Sequence, residues 1–294
     1  MCIKSKRTVK IAAAVLLGAW IFMCQFMMQD RQGDEFNKNY FAKKGVILFT
    51  STFTINNRHL HYAKTGYDSL PTLIFMHGSP GSLSNFRNYL QDTQLIGKYR
   101  MVAIDRPGFG YSDFGNTANL EDQAVYISAM IDSIDNKKPT YLIGHSLAGA
   151  LIIKLAASKP GKISGLVILA GSVDPLQEGW GFWRPLVTYS PARWLVPTAF
   201  RYSNEEQWWL KDDLIKLKDD FQKVKCPVYI FHGDADEHVP VANAVYAQKM
   251  LVNAKKVELT VFNGEKHFMV WTKFAEIKNK LMNITNPTDN ENPN

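Results

Sequence analysis

The feature that most constrains the fold is a repeated alternation of short apolar runs with longer amphipathic segments. Continuous apolar runs are typical of parallel strands whose two faces are both covered by helices. The chain is therefore predicted to form an α/β fold, with one sheet between two layers of helices. The apolar runs are Leu73–Met76, Met101–Ile104, Tyr141–Ile143, Leu166–Leu169, Val228–Phe231 and Val257–Phe262. The helical candidates lie near 82–96, 119–135, 147–158, 240–252 and 268–284.

A hairpin is predicted before the first of these runs. Two strand-like segments, Val46–Ile55 and Arg58–Lys64, are separated only by Asn56 and Asn57. Two-residue loops of this chemistry favour antiparallel pairing. We therefore expect the sheet to begin with an antiparallel hairpin.

A long interval interrupts the alternation between Ala170 and Pro227. We interpret residues 174–224 as a small helical cap over the carboxyl edge of the sheet, where open α/β sheets bind ligands. The aromatic side chains favour an apolar pocket wall, with Trp180, Trp183 and Trp208 as candidates. The alternative is a structural insertion whose aromatic residues pack on the core. Five of the seven tryptophans fall in the interval: Trp180, Trp183, Trp194, Trp208 and Trp209.

The net charge of +7 is concentrated at the N-terminus. Lys4, Lys6, Arg7 and Lys10 contribute four of these charges, which leaves +3 for the remainder. No basic stripe follows, so we expect no nucleic-acid partner.

Those basic residues precede an apolar run over 11–28 that is interrupted only by Gln25. Eighteen helical residues span roughly 27 Å, which is just enough for a bilayer core. We predict an uncleaved membrane anchor over 1–28, with the N-terminus cytoplasmic and the rest of the chain extracytoplasmic. Signal-peptide cleavage and lipid attachment at Cys24 are the alternatives, and both lack the expected small residues. A polar linker over 29–44 and a disordered tail over 286–294 complete this interpretation.

Ser146 is the candidate nucleophile. It follows the apolar run Tyr141–Ile143 and precedes a predicted helix, with Gly144 two positions before it. A serine on such a sharp strand-to-helix turn is exposed at the sheet edge, and the helix amides point toward any oxyanion formed there. Helix capping is the alternative role for this serine. Ala148 stands where the motif has glycine, followed by Gly149.

A serine hydroxyl needs a base to react at neutral pH. His267 lies in a loop just after the last predicted strand and is the candidate base. An acid that orients this base would come from another strand end, where Asp174, Asp234 and Asp236 are candidates.

Four motifs in this order resemble those of the α/β-hydrolase superfamily. They are His77–Gly81, Asp105–Ser112, Gly144–Gly149, and Gly233–Pro240 followed by His267. The resemblance covers 45–285 and implies an eight-stranded, mostly parallel sheet with helices on both faces and a small helical cap.

Position by position, the resemblance implies roles for individual residues. It implies Ser146 as nucleophile, Asp236 as acid and His267 as base, with the backbone N–H groups of Ser79 and Leu147 as oxyanion hole. His77, Asp105 and Arg106 resemble scaffold residues of the family. A serine nucleophile argues against the aspartate-based chemistry of haloalkane dehalogenases and epoxide hydrolases.

The resulting hypothesis is a membrane-tethered serine esterase of the carboxylesterase or lipase type. It would act on a small ester or acyl substrate, with a lipid-like acyl chain as a candidate, and would need no metal or organic cofactor. Amide, thioester or carbon–carbon bond cleavage by the same residues is a second hypothesis, and a silent protein that binds apolar ligands is a third. The acyl group, the leaving group and the oligomeric state are left open.

Overall fold

A single eight-stranded sheet runs through the molecule in the order β1-β2-β4-β3-β5-β6-β7-β8. The computed structural model describes residues 2–26, 29, 31–179 and 181–284. The strands are β1 (Phe49–Ile55), β2 (Arg58–Thr65), β3 (Thr72–Met76), β4 (Arg100–Ile104), β5 (Thr140–His145), β6 (Gly165–Leu169), β7 (Val228–Gly233) and β8 (Val257–Phe262). Within the described ranges the helices are α1 (Cys2–Phe26), α2 (Asp34–Ala42), α3 (Arg87–Leu90), α4 (Thr93–Lys98), α5 (Leu120–Ser133), α6 (Ala148–Ser158), α7 (Arg184–Tyr189), α8 (Thr198–Leu217), α9 (Ala242–Met250), α10 (Met269–Thr272) and α11 (Phe274–Asn283).

The predicted hairpin is confirmed. β1 and β2 pair antiparallel, with Ile55 opposite Arg58 across the turn. Asn56 and Asn57 both have positive φ, of 49° and 60°. That conformation matches the right-handed twist of the flanking strands and is tolerated by asparagine.

Strands β3 to β8 are parallel to one another, so their carboxyl ends meet at one edge of the sheet. β3, β4, β5, β6 and β7 are buried at every position. Helices cover both faces: α5, α6 and α9 pack on one, and α3, α4 and α11 on the other. This burial explains the continuous apolar runs of the sequence.

The predicted cap is helical. It contains α7, α8 and two short 3₁₀ helices, Pro191–Leu195 and Lys218–Lys223. The C-terminal half of α8 joins the core beside α5 and α6 through Leu210, Leu214 and Leu217.

The polar segment at 29–44 is not a plain linker, and this expectation is corrected. It holds α2, whose Phe41 is buried in the core cluster beside α4 and α11. The acidic residues Asp34 and Glu35 lie in the first turn of this helix, where they complement its dipole. The composition of 29–44 is polar, yet aromatic side chains at helical spacing suffice for docking on the domain.

Residues Lys6–Phe26 of α1 are long and apolar enough to cross a membrane, as a signal sequence near the N-terminus also would be. Two expectations, the disordered tail over 286–294 and a pocket role for Trp180, lie outside the described residues.

Candidate active site

Ser146 lies on a strained turn between β5 and α6. Its φ is 58°, in the left-handed region that non-glycine residues rarely adopt. The turn is held by the Ser146 N–H, which donates to Leu169 O at 2.9 Å, and by the Ser172 N–H, which donates to Ser146 O at 3.1 Å. Gly144 permits this geometry, since a Cβ there would lie 2.4 Å from Ala148 O. The turn thus presents a partly exposed serine at the carboxyl edge of the sheet.

His267 and Asp236 form a buried pair at the same edge. His267 Nδ1 lies 2.8 Å from Asp236 Oδ2, and the two residues are 8% and 6% exposed. The loops that carry them touch because Gly233 has no side chain: a Cβ there would lie 2.2 Å from Glu265 O. Since a carboxylate only accepts, Nδ1 is the donor and Nε2 of a neutral ring is left as a proton acceptor.

The Asp236 carboxylate is held ionised. Burial alone raises the pKa of Asp236, but the hydrogen bond from His267 and those from the Val239 and His238 amides lower it below its ordinary value overall. These amides donate to Oδ1 at 2.8 and 2.9 Å. An ionised carboxylate at this position orients the imidazole and stabilises an imidazolium.

The other two candidate acids have different partners. Asp174 Oδ1 accepts from the Leu176 N–H at 2.9 Å, within its own turn. Asp234 is exposed and accepts from the Gly264 N–H at 2.6 Å. Among the described residues, Asp236 alone of the three contacts His267.

A cavity of about 540 Å³ opens above Ser146 and is also lined by His267. No hydrogen bond joins the Ser146 hydroxyl to His267 within the described structure. Such contacts often tighten only when substrate is bound.

Ser79 and Leu147 line this cavity as well. Among the described residues their backbone N–H groups have no acceptor. Both are therefore available to a ligand oxygen placed beside Ser146.

The cap supplies one wall of the cavity through a single face of α8. Phe200, Ser203, Gln207 and Leu210 line it, and their spacing of three and four residues is that of one helical face. Trp208 is the residue after Gln207 and therefore points about 100° away. The expectation that Trp183 and Trp208 line this pocket is corrected, since both lie outside its lining and are 48% and 37% exposed.

The aromatic lining comes partly from two residues at the start of the helical segment predicted over 268–284, whose pocket role the sequence analysis missed. Phe268 lies just before α10 and Trp271 lies within it, and both line the cavity beside His267. Trp271 is held by its indole N–H, which donates to Asn85 O at 2.7 Å. Their place directly after the candidate base was the available signal.

Two buried histidines near Ser146 act as hydrogen-bonding scaffold. Burial lowers the pKa of His145 to about 3, and the nearby His267 adds to this shift. The ring is therefore neutral at pH 7, and its Nε2–H donates to His267 O at 3.2 Å. His77 is likewise held neutral, because burial and then Arg106 lower its pKa. Its Nδ1–H donates to Gly78 O at 2.7 Å, and its Nε2 accepts from the Arg106 N–H at 2.9 Å.

Arg106 connects this scaffold to the cap. Its Nε donates to His77 O at 2.7 Å and its Nη2 to Gly78 O at 2.9 Å. The same guanidinium pairs with Glu206 of α8, where Nη2–Oε2 is 3.0 Å. Arg106 is 0% and Glu206 3% exposed. The peptide before Ser79 and the cap helix are thus held by one buried cation.

The comparisons with known proteins concern the fold. A family model described as the α/β hydrolase fold matches residues 71–199. A non-heme chloroperoxidase of Streptomyces lividans is 25% identical over 248 residues, covering 70% of this chain and 87% of that protein. A 2-hydroxy-6-oxononadienedioate/2-hydroxy-6-oxononatrienedioate hydrolase of Paraburkholderia phymatum is 28% identical over 118 residues, 38% of this chain and 40% of that protein.

Solved structures show the same fold over a greater length. A bacterial membrane phospholipase A superposes with a TM-score of 0.62 at 18% identity, covering 97% of this chain and 98% of that one. An E-2-(acetamidomethylene)succinate hydrolase superposes with a TM-score of 0.62 at 18% identity, covering 81% and 98%. With its mostly parallel eight-stranded sheet, its motifs and these matches, the chain has the α/β-hydrolase fold.

Proposed function

We propose that the protein is a membrane-tethered serine hydrolase that cleaves a carboxylic ester through Ser146, His267 and Asp236. The observation that carries the proposal is the strained turn of Ser146, which shares a cavity with the His267–Asp236 pair. A binding role requires neither a strained serine nor a base oriented by an ionised carboxylate.

The reaction begins when Ser146 Oγ attacks the acyl carbon and its proton passes to His267 Nε2. The carbonyl oxygen becomes an oxyanion that accepts from the backbone N–H groups of Ser79 and Leu147. Asp236 stabilises the imidazolium through Nδ1–H. The tetrahedral intermediate then expels the alcohol, which takes the proton from His267, and an acyl-enzyme remains on Ser146.

Hydrolysis of the acyl-enzyme repeats these steps with water. His267 Nε2 removes a proton from the water molecule that attacks the acyl carbon. The same N–H groups hold the second oxyanion, and its collapse returns the proton to Ser146 Oγ. Every proton is accounted for by one imidazole, so the residues present suffice.

An apolar acyl group suits the cavity lining. Leu147, Leu210, Phe200, Phe268 and Trp271 surround the space beside Ser146. Burying an acyl chain against such side chains contributes about 0.8 kcal/mol for each methylene group. We therefore expect esters with longer acyl chains to react with higher kcat/KM than acetates.

The tether is α1, with the catalytic domain outside the cytoplasm. Basic side chains precede its apolar run, and Asp34 and Glu35 follow it. This charge asymmetry favours a cytoplasmic N-terminus.

The proposal is tested by labelling with a fluorophosphonate, which reacts with activated serines. We expect labelling of the wild type and none of Ser146→Ala or His267→Ala. Ser158→Ala is the matched control. Ser158 is the last residue of α6, the helix that follows Ser146, and its hydroxyl donates to Leu155 O. Labelling that persists in Ser146→Ala would show that another serine is the nucleophile.

Relatives with other named activities, such as the chloroperoxidase and the dienedioate hydrolase, make the bond type a separate question. Turnover of paired ester, amide and thioester substrates with one acyl group separates those chemistries, and we expect the ester to react fastest. A silent binding protein would bind the substrate equally well as wild type and as Ser146→Ala, with turnover by neither.

A further inference from the structure

The cap carries an apolar surface that the active site does not use. Within residues 182–200 it exposes a set of large apolar side chains, and such contiguous patches mark interaction sites. Phe182 is 89% exposed, Leu186 62% and Tyr189 58%. The full set is Phe182, Trp183, Leu186, Tyr189, Trp194, Leu195 and Phe200. We call this set the cap face.

The segment that carries the cap face is basic, and Glu178 and Glu205 lie just outside it. Residues 181–202 contain the partly exposed Arg184 and Arg193, the buried Arg201 and no acidic residue. Aromatic and aliphatic side chains with interspersed arginines are typical of segments that lie in the headgroup region of a bilayer.

The cap face is continuous with the apolar helix α1. The Trp20 indole N–H donates to Leu195 O at 3.0 Å, and Gln25 Nε2 donates to Trp194 O at 3.0 Å. Thr198 Oγ1 donates to Cys24 O at 3.2 Å. The 3₁₀ helix Pro191–Leu195 therefore lies along the last turn and a half of α1.

This contact sets the depth of the cap face. Trp20 lies six residues, about 9 Å, before the end of α1 at Phe26. The 21-residue apolar segment Lys6–Phe26 is about 31 Å long, close to the thickness of a bilayer core. With α1 across the membrane, Trp194 and Leu195 lie at the depth of the last turns of α1. Surface-bound amphipathic segments bury their apolar side chains by a similar 5 to 10 Å.

One residue is shared by the cap face and the cavity lining. Phe200 belongs to the cap face, is 58% exposed and also lines the cavity above Ser146.

We propose that the cap face rests in the headgroup boundary of the bilayer that α1 crosses, so that the active-site cavity opens toward lipid. The inference rests on the proposed tether and deepens the proposed function, because it makes a membrane-resident ester the substrate class. The occupant is phospholipid, and a second copy of the chain is the competing occupant.

Photo-crosslinking tests the contact without reference to activity. The full-length protein is reconstituted in vesicles of phosphatidylcholine and phosphatidylglycerol, with p-benzoylphenylalanine at position 182 or, as control, at position 252. Val252 follows α9, outside the cap face of residues 182–200, and is 70% exposed. We expect lipid adducts at 182 and none at 252. Equal adducts at both positions, none at 182, or adducts of 182 with a second protein chain would each overturn the proposal.

Activity then shows whether docking serves catalysis. Phe182→Ser combined with Leu186→Ser is compared with Val245→Ser combined with Val252→Ser, since the two valines are 54% and 70% exposed outside the cap. For p-nitrophenyl palmitate in the vesicles we expect turnover to fall about tenfold in the cap variant and to stay unchanged in the valine variant. The cap variant loses apolar contacts with lipid that contribute to docking. Turnover of soluble p-nitrophenyl acetate is unchanged in both and reports an intact fold.

The two proposals fail separately. Lipid adducts at 182 without turnover of either ester support the docking and overturn the esterase. Turnover of both esters without lipid adducts at 182, or an equal palmitate loss in both double variants, overturns the docking and leaves the esterase standing.

Discussion

Helix α6, which lies on the sheet, and helix α8, which forms the cap, bury different kinds of side chain. The buried residues of α6 are all apolar or glycine. Six of the ten buried residues of α8 are polar or charged, whereas Phe200 and Ile215 on the same helix are more than half exposed. The buried polar set is Thr198, Arg201, Ser203, Asn204, Glu206 and Asp213.

The difference concerns what holds each element in place. Apolar burial is non-directional, so α6 is fixed by shape and supports the Ser146 turn rigidly. Paired polar groups are directional, so α8 is located by a few specific bonds. These bonds leave apolar side chains of the cap free to face the cavity and the surface.

The largest effect is expected at the rigidly packed edge of the sheet, where Asp236 lies. Asp236→Asn should lower kcat by about 10⁴-fold with the fold intact, because an amide can stabilise the wrong tautomer of His267. Steady-state kinetics on a p-nitrophenyl ester measures this. Asp234→Asn is the matched control and should stay near wild type, since Asp234 only accepts from Gly264. A larger loss in Asp234→Asn would reassign the acid.

Breaking the buried Arg106–Glu206 pair, which holds the cap helix α8, should have the next largest effect. Glu206→Gln leaves the buried Arg106 charge without its partner, and we expect a loss of about 3 to 5 kcal/mol in the free energy of unfolding. Denaturant titration in detergent gives the value. Glu205→Gln is the control on the same turn: Glu205 is partly exposed and accepts from Thr117 Oγ1 at 2.7 Å. Its loss should stay within about 1 kcal/mol, and equal losses would contradict a special role for the buried pair.

Truncation of an apolar side chain should lower the free energy of unfolding much more on α6 than on α8. Leu151→Ala on α6, at a site with 0% exposure, should cost about 2 to 5 kcal/mol because it leaves a cavity. Ile215→Ala on α8, at 52% exposure, should change stability by less than about 0.5 kcal/mol. Thermal unfolding of both variants measures the contrast. Comparable losses would mean that α8 depends on apolar burial after all.

The smallest expected effect concerns α2, which is also attached through charge. His61 is buried, with Nδ1 3.0 Å from Asp105 Oδ2 and Nε2 2.9 Å from Asp34 Oδ1 of α2. Burial lowers the pKa of His61, but Asp105 and then Asp34 raise it above its ordinary value overall. A pKa raised by folding contributes stability that is fully present below the ordinary value near 6.5 and lost as pH rises through the folded-state value.

We therefore expect the stability difference between wild type and His61→Gln to shrink as the pH rises from below 6.5 through the raised folded-state value. Thermal unfolding across this range measures it. His59→Gln is the control, since His59 is exposed and pairs with Asp113 in a surface contact of little worth at any pH. A difference that grows with pH would contradict the sign derived for His61.

The local sequence pattern was sufficient to predict the features that follow from the order of strands and loops along the chain. Strands β3 to β7 coincide with the apolar runs, and Asn56 and Asn57 have the side chains that a tight hairpin tolerates. Parallel strands bring their carboxyl ends to one edge, so the sequence predicts Ser146, His267 and the candidate aspartates close together there. The distance of 2.8 Å between His267 Nδ1 and Asp236 Oδ2 agrees with that prediction for one of the aspartates.

Other features depended on packing between distant segments. Arg106 and Glu206 lie 100 residues apart, and neither side chain indicates alone that it will be buried. The pocket role expected of Trp208 was wrong because one step along a helix turns a side chain by about 100°. The docking of α2 was missed because the composition of 29–44 is polar, although Phe41 is buried in the core and Tyr40 packs against it.

The sequence by itself thus determined the fold class, the order of the strands along the chain and the loops that bear the candidate site residues. Those features follow from backbone geometry and local apolar periodicity, which act over a few residues. The tertiary structure alone decided which aspartate meets His267, which face of α8 lines the cavity and where the cap contacts α1. Such contacts depend on the three-dimensional arrangement of side chains from separate elements, and no local pattern encodes that arrangement.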